Sequence, residues 1–492
     1  MEIIVYKPYL DPEFESLIER VHPPRVCIDN DACGDCTLVK VDSANKHGIL
    51  LEMVQVLTDL DLVISKSYIS SDGGWFMDVF HVTDQLGNKI TDESLIHYIQ
   101  QSLGSGRRGG GNAKEVQTCL GKVVGPRHVS TQYTALEITG TDRPGLLSEI
   151  SAVLTELGCH VVSAAAWTHN TRSACIIYVE DASRGGGPIT DPDRLTKVEE
   201  QLENVVSAHH GNGSGERKRV RLSVPSASRT HTERRLHQLM FADRDYEECG
   251  TGDYTTESGD GDVDRKMALE LDGEGSWTGR TEVSIESCNE KGYSVVRVRS
   301  RDRPKLLFDT VCTLTDMQYV VFHAAVSSNH SVAVQEYYIR HMDGCTLDTE
   351  TERCRVTQCL IAAIERRVSH VCPGLRLDVC TRNRVGLLSH ITRVFREYGL
   401  SVSRAEIGTR GETATGSFYV IDLSGNDVDS KTVELVRKEI GGTVLEVNKS
   451  SGWPAPTSCS NGSVEYRSRF SLGSLLWAQL ERLSSNFGSI RS

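Results

Sequence analysis

Four stretches of the chain repeat one pattern of apolar and polar positions: VDSANKHGILLEMVQVLTDLDLVISKSYISSDGGWFMDVFHV, ITGTDRPGLLSEISAVLTELGCHVVSAAAWTHNTRSACIIYV, VRSRDRPKLLFDTVCTLTDMQYVVFHAAVSSNHSVAVQEYYI and VCTRNRVGLLSHITRVFREYGLSVSRAEIGTRGETATGSFYV. They align almost without gaps. Each predicts a strand, a tight turn, a helix with apolar residues at spacings of three and four, and two strands joined by a short polar loop. In the second copy the helical stripe is Leu146, Leu147, Ile150, Val153, Leu154 and Leu157. Its last strand alternates through Ala174, Ile176 and Tyr178. A second helical stretch follows each hairpin, at Asp92 to Leu103, Asp191 to Ala208, Thr349 to Val368 and Asp429 to Ile440. A final strand is expected at Glu115 to Leu120, Lys218 to Val224 and Thr443 to Asn448.

The element order is βαββαβ, an α+β, ferredoxin-like plan in which two helices cover one face of an antiparallel sheet. The third copy departs from it, because its second helix runs nearly into the fourth copy's first strand; EVSIES, Glu282 to Ser287, is the expected substitute at its sheet edge. The resulting organisation is an N-terminal extension at 1–34, units at 35–121, 131–225, 282–370 and 373–449, a connecting segment at 226–281 and a tail at 450–492. Spacing along the chain groups units one with two and three with four. Within the connecting segment, HTERRLHQLMFADRDYE places Leu236, Leu239 and Met240 at helical spacing and is expected to dock on the first pair. The tail is amphipathic through Leu475, Leu476, Leu480 and Leu483, which reads as a terminal helix.

Composition narrows the function. The net charge of −13 comes mostly from Asp243 to Glu282, a Gly-, Ser- and Thr-rich run too poor in apolar residues to order itself, hence a linker. An acidic balance argues against nucleic acid as a partner. No apolar run approaches the roughly 20 residues that span a bilayer. The acidic N-terminus lacks a signal-peptide pattern, so the expected compartment is the cytoplasm, with the nucleus as the other choice. Fifteen cysteines, an odd number, are read mostly as reduced core residues. Cys33 and Cys36 have metal-ligand spacing but no second pair, which favours free thiols in a surface loop. Neither a metal nor a cofactor is expected. Asp260, Asp262 and Asp264 imitate a calcium loop that Arg265 and Leu271 break.

Chemistry concentrates in the turn between first strand and helix. One position holds Asn45, Asp142, Asp302 or Asn383, and three residues on come Gly48, Gly145, Lys305 and Gly386. A helix N-cap explains the Asx, since its side-chain oxygen accepts a first-turn amide hydrogen. It does not explain a glycine, which costs roughly 1 kcal/mol inside a helix. Either close packing against a neighbouring repeat or the approach of a ligand would account for it. Free first-turn amides favour a carboxylate and the Asx oxygen accepts from an ammonium, which together describe an α-amino acid. Lys305 would stand in that approach, so the third copy is expected to be impaired and Asp302 is set apart from the other three.

With TDRPGLL, RNRVGLL and NKHGIL between strand and helix of a βαββαβ unit, the chain resembles the ACT domain, a small regulatory module of amino-acid metabolism. Four such units without another domain are similar to the plant ACT-domain-repeat proteins. The resemblance implies side-by-side pairing of the units, amino-acid binding at their interface and a regulatory role without catalysis. By analogy with a bacterial uridylyltransferase sensor it implies glutamine as one ligand. Carried over by position, the ligand sites are Asn45 and Gly48, Asp142 and Gly145, and Asn383 and Gly386. The competing expectation is an interaction scaffold whose sheet edges recruit a protein partner or a second copy of the chain without ligand.

Overall fold

The repeated pattern forms the same local structure each time, because an apolar stripe on a helix and alternate apolar residues on two strands can be buried together only by laying the helix on the sheet. The computed structural model describes residues 24–44, 48–72, 75–104, 115–119, 123–124, 133–208, 219–223, 231–247, 279–288, 292–329, 331–367, 375–424, 428–441 and 445–448. Most of the acidic stretch and the whole amphipathic tail lie outside the described residues.

In chain order, repeat 1 comprises β1 (Arg25–Asp29), β2 (Thr37–Ala44), α1 (Ile49–Asp59), β3 (Val63–Asp72), β4 (Trp75–Thr83) and α2 (Glu93–Leu103). The short β5 (Val116–Gln117) and β6 (Val123–Val124) follow. Repeat 2 comprises β7 (Thr134–Thr141), α3 (Leu146–Glu156), β8 (Cys159–His169), β9 (Arg172–Asp181), α4 (Pro192–Ser207) and β10 (Val220–Ser223), and α5 (Thr232–Ala242) comes after it. Repeat 3 has β11 (Glu282–Cys288), β12 (Tyr293–Arg301), α6 (Leu306–Asp316), β13 (Tyr319–Asn329), β14 (Val332–His341) and α7 (Glu350–Glu365). Repeat 4 has β15 (Leu375–Arg382), α8 (Leu387–Glu397), β16 (Leu400–Arg410), β17 (Thr413–Asp422), α9 (Ser430–Ile440) and β18 (Leu445–Asn448).

The strands make two eight-stranded sheets, β1-β2-β4-β3-β13-β14-β12-β11 and β10-β7-β9-β8-β16-β17-β15-β18. Repeats therefore pair one with three and two with four, which corrects the pairing inferred from chain spacing. Loop-closure cost rises only slowly with loop length, so nearness along the chain is a weak guide to which edges meet. The partners are chosen where β3 meets β13 and β8 meets β16, both antiparallel. In the first junction Tyr68 stands opposite Ala325, and in the second Ala165 stands opposite Glu406. These are the same position of each repeat, so a local two-fold axis passes through each junction. The chain divides accordingly into one unit drawn from Met1–Pro126 and Gly261–Thr357 and a second from Arg127–Asp260 and Gln358–Pro454.

The fourth strand of a repeat is filled from either side of its first strand. In repeats 2 and 4, β10 and β18 follow the second helix and pair with β7 and β15, as expected. In repeat 3 the substitute strand is present as β11 beside β12. Repeat 1 uses the same device: β1, within the stretch read as an extension, pairs with β2, whereas among the described residues Val116–Gln117 pairs with β6 and not with β2. The edge slot needs only an antiparallel neighbour, and a preceding hairpin closes it at low entropic cost.

The second unit buries one core under α3, α4, α8 and α9, with Leu136, Ile177, Leu202, Val394 and Phe418 at its centre. The opposite face of repeat 2's sheet is covered by the segment expected to dock on the first pair of repeats. Leu236, Leu239 and Met240 of α5 pack on Trp167, Ala174 and Ile176. Alternation along β9 thus serves two cores, Cys175 and Ile177 facing one and Ala174 and Ile176 the other. Behind α5 the Arg366 guanidinium donates to both Asp245 carboxylate oxygens at 2.6 Å, and His169 contacts the same carboxylate at 3.0 Å. Burial alone would raise the Asp245 carboxyl, but the Arg366 charge and the His169 and Arg366 hydrogen bonds hold it well below the usual range.

Candidate functional site

The turn before each first helix is built on one left-handed residue. Gly48, Gly145 and Gly386 have φ of 81°, 84° and 77°, and each helix begins at the next residue. Lys305 adopts the same conformation at φ 66°, where a side chain costs roughly 1–2 kcal/mol. The glycine is thus required first by the backbone. This corrects the N-cap reading of the Asx: none of these helices has a side-chain cap, and the capping position belongs to the left-handed residue three places on. The Asx instead anchors the turn through its main chain. The amide N–H of Asp142, Asp302 and Asn383 donates to Thr171, Ser331 and Glu412 in the hairpin loop of the same repeat, at 2.7, 3.0 and 2.7 Å. Asn45 lies outside the described residues.

In the second unit two clefts form about the local two-fold, where α3 packs on α8 and Ser151 Oγ meets Thr392 Oγ1 at 2.9 Å. Ser151 is six residues past Gly145 and Thr392 six past Gly386, so equivalent hydroxyls close the axis. One cleft joins Asn383, Arg384 and Gly386 of repeat 4 to Thr155, His160 and Val161 of repeat 2. The other joins Asp142, Arg143 and Gly145 of repeat 2 to Arg396, Ser401 and Val402 of repeat 4. Both are open to solvent, and counting their mouths they enclose about 510 and 500 Å³. Asp142 and Gly145 thus line one cleft and Asn383 and Gly386 the other, each completed by the paired repeat.

The two clefts are not alike, because the position facing each glycine differs. A Cβ on Gly386 would stand 3.1 Å from Thr155 Cγ2, and one on Gly145 would stand 2.9 Å from Arg396 Cδ. Thr155 and Arg396 are equivalent positions, so packing against the paired repeat does account for part of the glycine requirement at both. Among the described residues, no atom comes within 4 Å of a Cβ built on Gly48.

Electrostatics separate them further. In repeat 2 the turn's Arg143 forms a two-point pair with Glu149, at 2.9 and 2.6 Å, and in repeat 3 Arg303 Nη2 pairs with Asp309 at 2.8 Å. Repeat 4 has His390 at that helical position, and Arg384 makes no ion pair among the described residues. Burial, with the charges of Arg384 and Arg393, pushes the His390 pKa down, so the imidazole does not compete as a cation. In the first cleft Asn383 Oδ1 and His160 Nδ1 are buried without a hydrogen-bond partner. Each such atom costs about 1–3 kcal/mol. In the second cleft burial pushes the Asp142 carboxyl up to about 6, against the opposing hydrogen bond from the Arg143 backbone. Asp302 of repeat 3 accepts from Ser328 and is not left open in that way.

Thr155, His160, Arg384 and Arg396 were not among the residues singled out from sequence. A signal existed: ten residues past the left-handed position the four repeats read Thr58, Thr155, Thr315 and Arg396. The three threonines bond back to the carbonyl four residues earlier, and arginine cannot substitute for them in that bond. Of the remaining sequence readings, the loop thiol Cys36 is buried, and its pKa is pushed up to about 12, chiefly by burial. Among the described residues no helix is long and apolar enough to cross a membrane.

Comparison with known proteins agrees with this architecture. The family described as the ACR family N-terminal ACT domain matches residues 32–110, and the ACT domain matches residues 132–210 and 376–441. The ACT domain-containing protein ACR1 of Arabidopsis thaliana is 54% identical over 496 residues, covering 99% of each chain. ACR3 of the same plant is 52% identical, over 96% of this chain and 98% of that one. The bifunctional uridylyltransferase/uridylyl-removing enzyme of Azospirillum brasilense is 40% identical over 81 residues, 16% of this chain and 9% of its own. With four ACT-like repeats and full-length similarity of this degree, the chain belongs to the plant ACR family of ACT-domain-repeat proteins.

Proposed function

We propose that the protein is a non-catalytic regulator that binds a free amino acid in the cleft between repeats 2 and 4 at Asn383. The observation that carries this reading is the buried Asn383 Oδ1, unpartnered beside a left-handed glycine and the start of α8. That oxygen would accept from the ligand's ammonium group. The amides of Leu388 and Ser389 in the first helical turn have no intrahelical acceptor and, with the Arg384 guanidinium, favour the carboxylate. Because the cleft draws on both repeats, a ligand that prefers one arrangement of the pair would bias it by its differential affinity. Glutamine, implied by the resemblance to the bacterial sensor, is the first ligand to try.

A second reading is an interaction scaffold without ligand. It is favoured at the other cleft, where the Arg396 stem already fills the approach to Gly145. Thermal-shift and calorimetric titration of the full chain with the twenty amino acids separates the two. The sensor gains stability at saturating ligand, by mass action, and Asn383→Ala removes the gain. A folded protein stabilised by none of them is the scaffold.

A further inference from the structure

We infer that α5 is a strap whose seating sets the turn of repeat 2: docked, its terminal turn holds the β8–β9 hairpin that anchors Asp142, and released, it lets the Asp142–Gly145 side of the second cleft loosen. The inference does not depend on either cleft's binding a ligand, and so goes beyond the proposed function. α5 ends in a Schellman cap, with Arg244 left-handed at φ 59°, the Arg244 amide donating to the Phe241 carbonyl and the Asp245 amide to that of Met240. The cap turns the chain back onto the hairpin, where three of its residues are held. Asp245 Oδ2 meets His169 Nδ1 at 3.0 Å, the Asp245 carbonyl accepts from Asn170 Nδ2 at 2.8 Å, and Asp243 Oδ2 lies 4.0 Å from Arg172 Nη1.

The hairpin needs such support. His169 pairs with Arg172, which leaves a two-residue loop with Asn170 at φ 44° and Thr171 at φ 59°. Two positive φ angles suit Asn-Gly, and a β-branched residue at the second position is strained. The loop conformation is thus one that its own sequence disfavours and its neighbour holds. The Thr171 carbonyl also accepts from the Asp142 amide, at 2.7 Å, and Asp142 opens the turn that lines the second cleft with Gly145. Contacts run without a gap from Asp245 through Asn170 and Thr171 to Asp142. Repeat 4 is built differently. Its hairpin takes Gly411 at φ 56°, and the Asn383 amide reaches Glu412 in a loop where the Arg382 and Glu412 side chains are 82% and 84% exposed. The connecting helix thus grips one of two equivalent hairpins. Linkage is reciprocal: whatever tightens the Asp142 turn favours docked α5, and whatever draws α5 away disfavours the turn.

Amide hydrogen exchange on the full chain tests this, with the Asn383 amide as internal reference for the Asp142 amide. Arg366→Met removes the guanidinium that pairs with Asp245, and the milder Leu236→Ala thins the apolar seat of α5; both leave the hairpin residues unchanged. Each is expected to speed exchange at Asp142 about tenfold or more while Asn383 stays within about twofold. Adding Thr171→Gly, which gives the loop the Asn-Gly pair that stands unaided, should restore most of the Asp142 protection in either background. Equal acceleration at Asp142 and Asn383 overturns the proposal, since the loss is then one of the whole unit. So does an Asp142 amide that stays protected while the amides of α5 itself exchange faster, and so does acceleration that Thr171→Gly fails to reverse.

Discussion

Lys305 shows what the turn demands of a single residue. It adopts φ 66° where the other repeats use glycine, so it carries the strain of a side chain in the left-handed region. Glycine relieves that strain but loses part of the gain to its freer unfolded chain, so Lys305→Gly should stabilise the protein by about 1 kcal/mol in denaturant unfolding. Asp142 supports a prediction of pH dependence. Its carboxyl is pushed from 3.8 up to about 6, so the folded state holds a proton that the unfolded state releases. That contribution is complete below pH 3.8 and is lost as pH rises through about 6. Asp142→Asn, the residue type repeat 4 uses at Asn383, should therefore raise the melting temperature above pH 6 and leave it unchanged near pH 3.5, read by thermal melts across that range. The turn was legible from sequence as special, since three glycines stood where a helix would not want them. Packing against the paired repeat was read as one cause and holds at Gly145 and Gly386, but the backbone cause was missed, because a left-handed φ is a three-dimensional property that Asx-x-x-Gly only hints at.

At the scale of elements, helices and strands were readable wherever periodicity was strong, as in the stripes of α3 and α8. The docking of α5 was readable in part: Leu236, Leu239 and Met240 marked a helix to be covered by the first pair of repeats, and it packs on repeat 2. What could not be read was the polar lock behind it. His169 and Arg366 are far in sequence from His237 and Asp245, and Arg366 Nη1 reaches His237 Nδ1 at 2.8 Å only in the folded chain. Neighbouring Arg367 pairs with Glu233 of α5 and lies 4.7 Å over the Trp167 ring. Removing one partner of a buried pair leaves the other charge stranded, so Arg366→Met should cost about 3–5 kcal/mol. The loss should appear as an earlier tryptophan-fluorescence transition in urea, from Trp167 beneath α5. An unchanged midpoint would show that α5 is held by its apolar contacts alone.

For the whole molecule, the interleaved pairing has a consequence that spacing would not suggest. Each sheet is completed by strands from both halves of the chain, with β3 closed by β13 and β8 by β16. Edges left open are templates for pairing with other chains. A protease site inserted between residues 250 and 270 should therefore yield two fragments that stay together on size exclusion. Either half expressed alone should self-associate or aggregate. Two independently folding, monomeric halves would contradict the sheet order.

Sequence by itself determined the repeated unit, its α+β plan, the substitute edge strand read at Glu282 to Ser287 and the turn that carries the candidate site. These follow from local periodicity and steric preference, which each segment holds within its own residues. Only the tertiary structure decided which repeats pair, and with that which side chain faces each turn. Thr155 opposite Gly386 and Arg396 opposite Gly145 make two clefts of different chemistry from equivalent positions. The reason is physical: register along a sheet edge and packing between helices are set by contacts among residues more than two hundred positions apart, such as Ser151 and Thr392, and no local pattern records them.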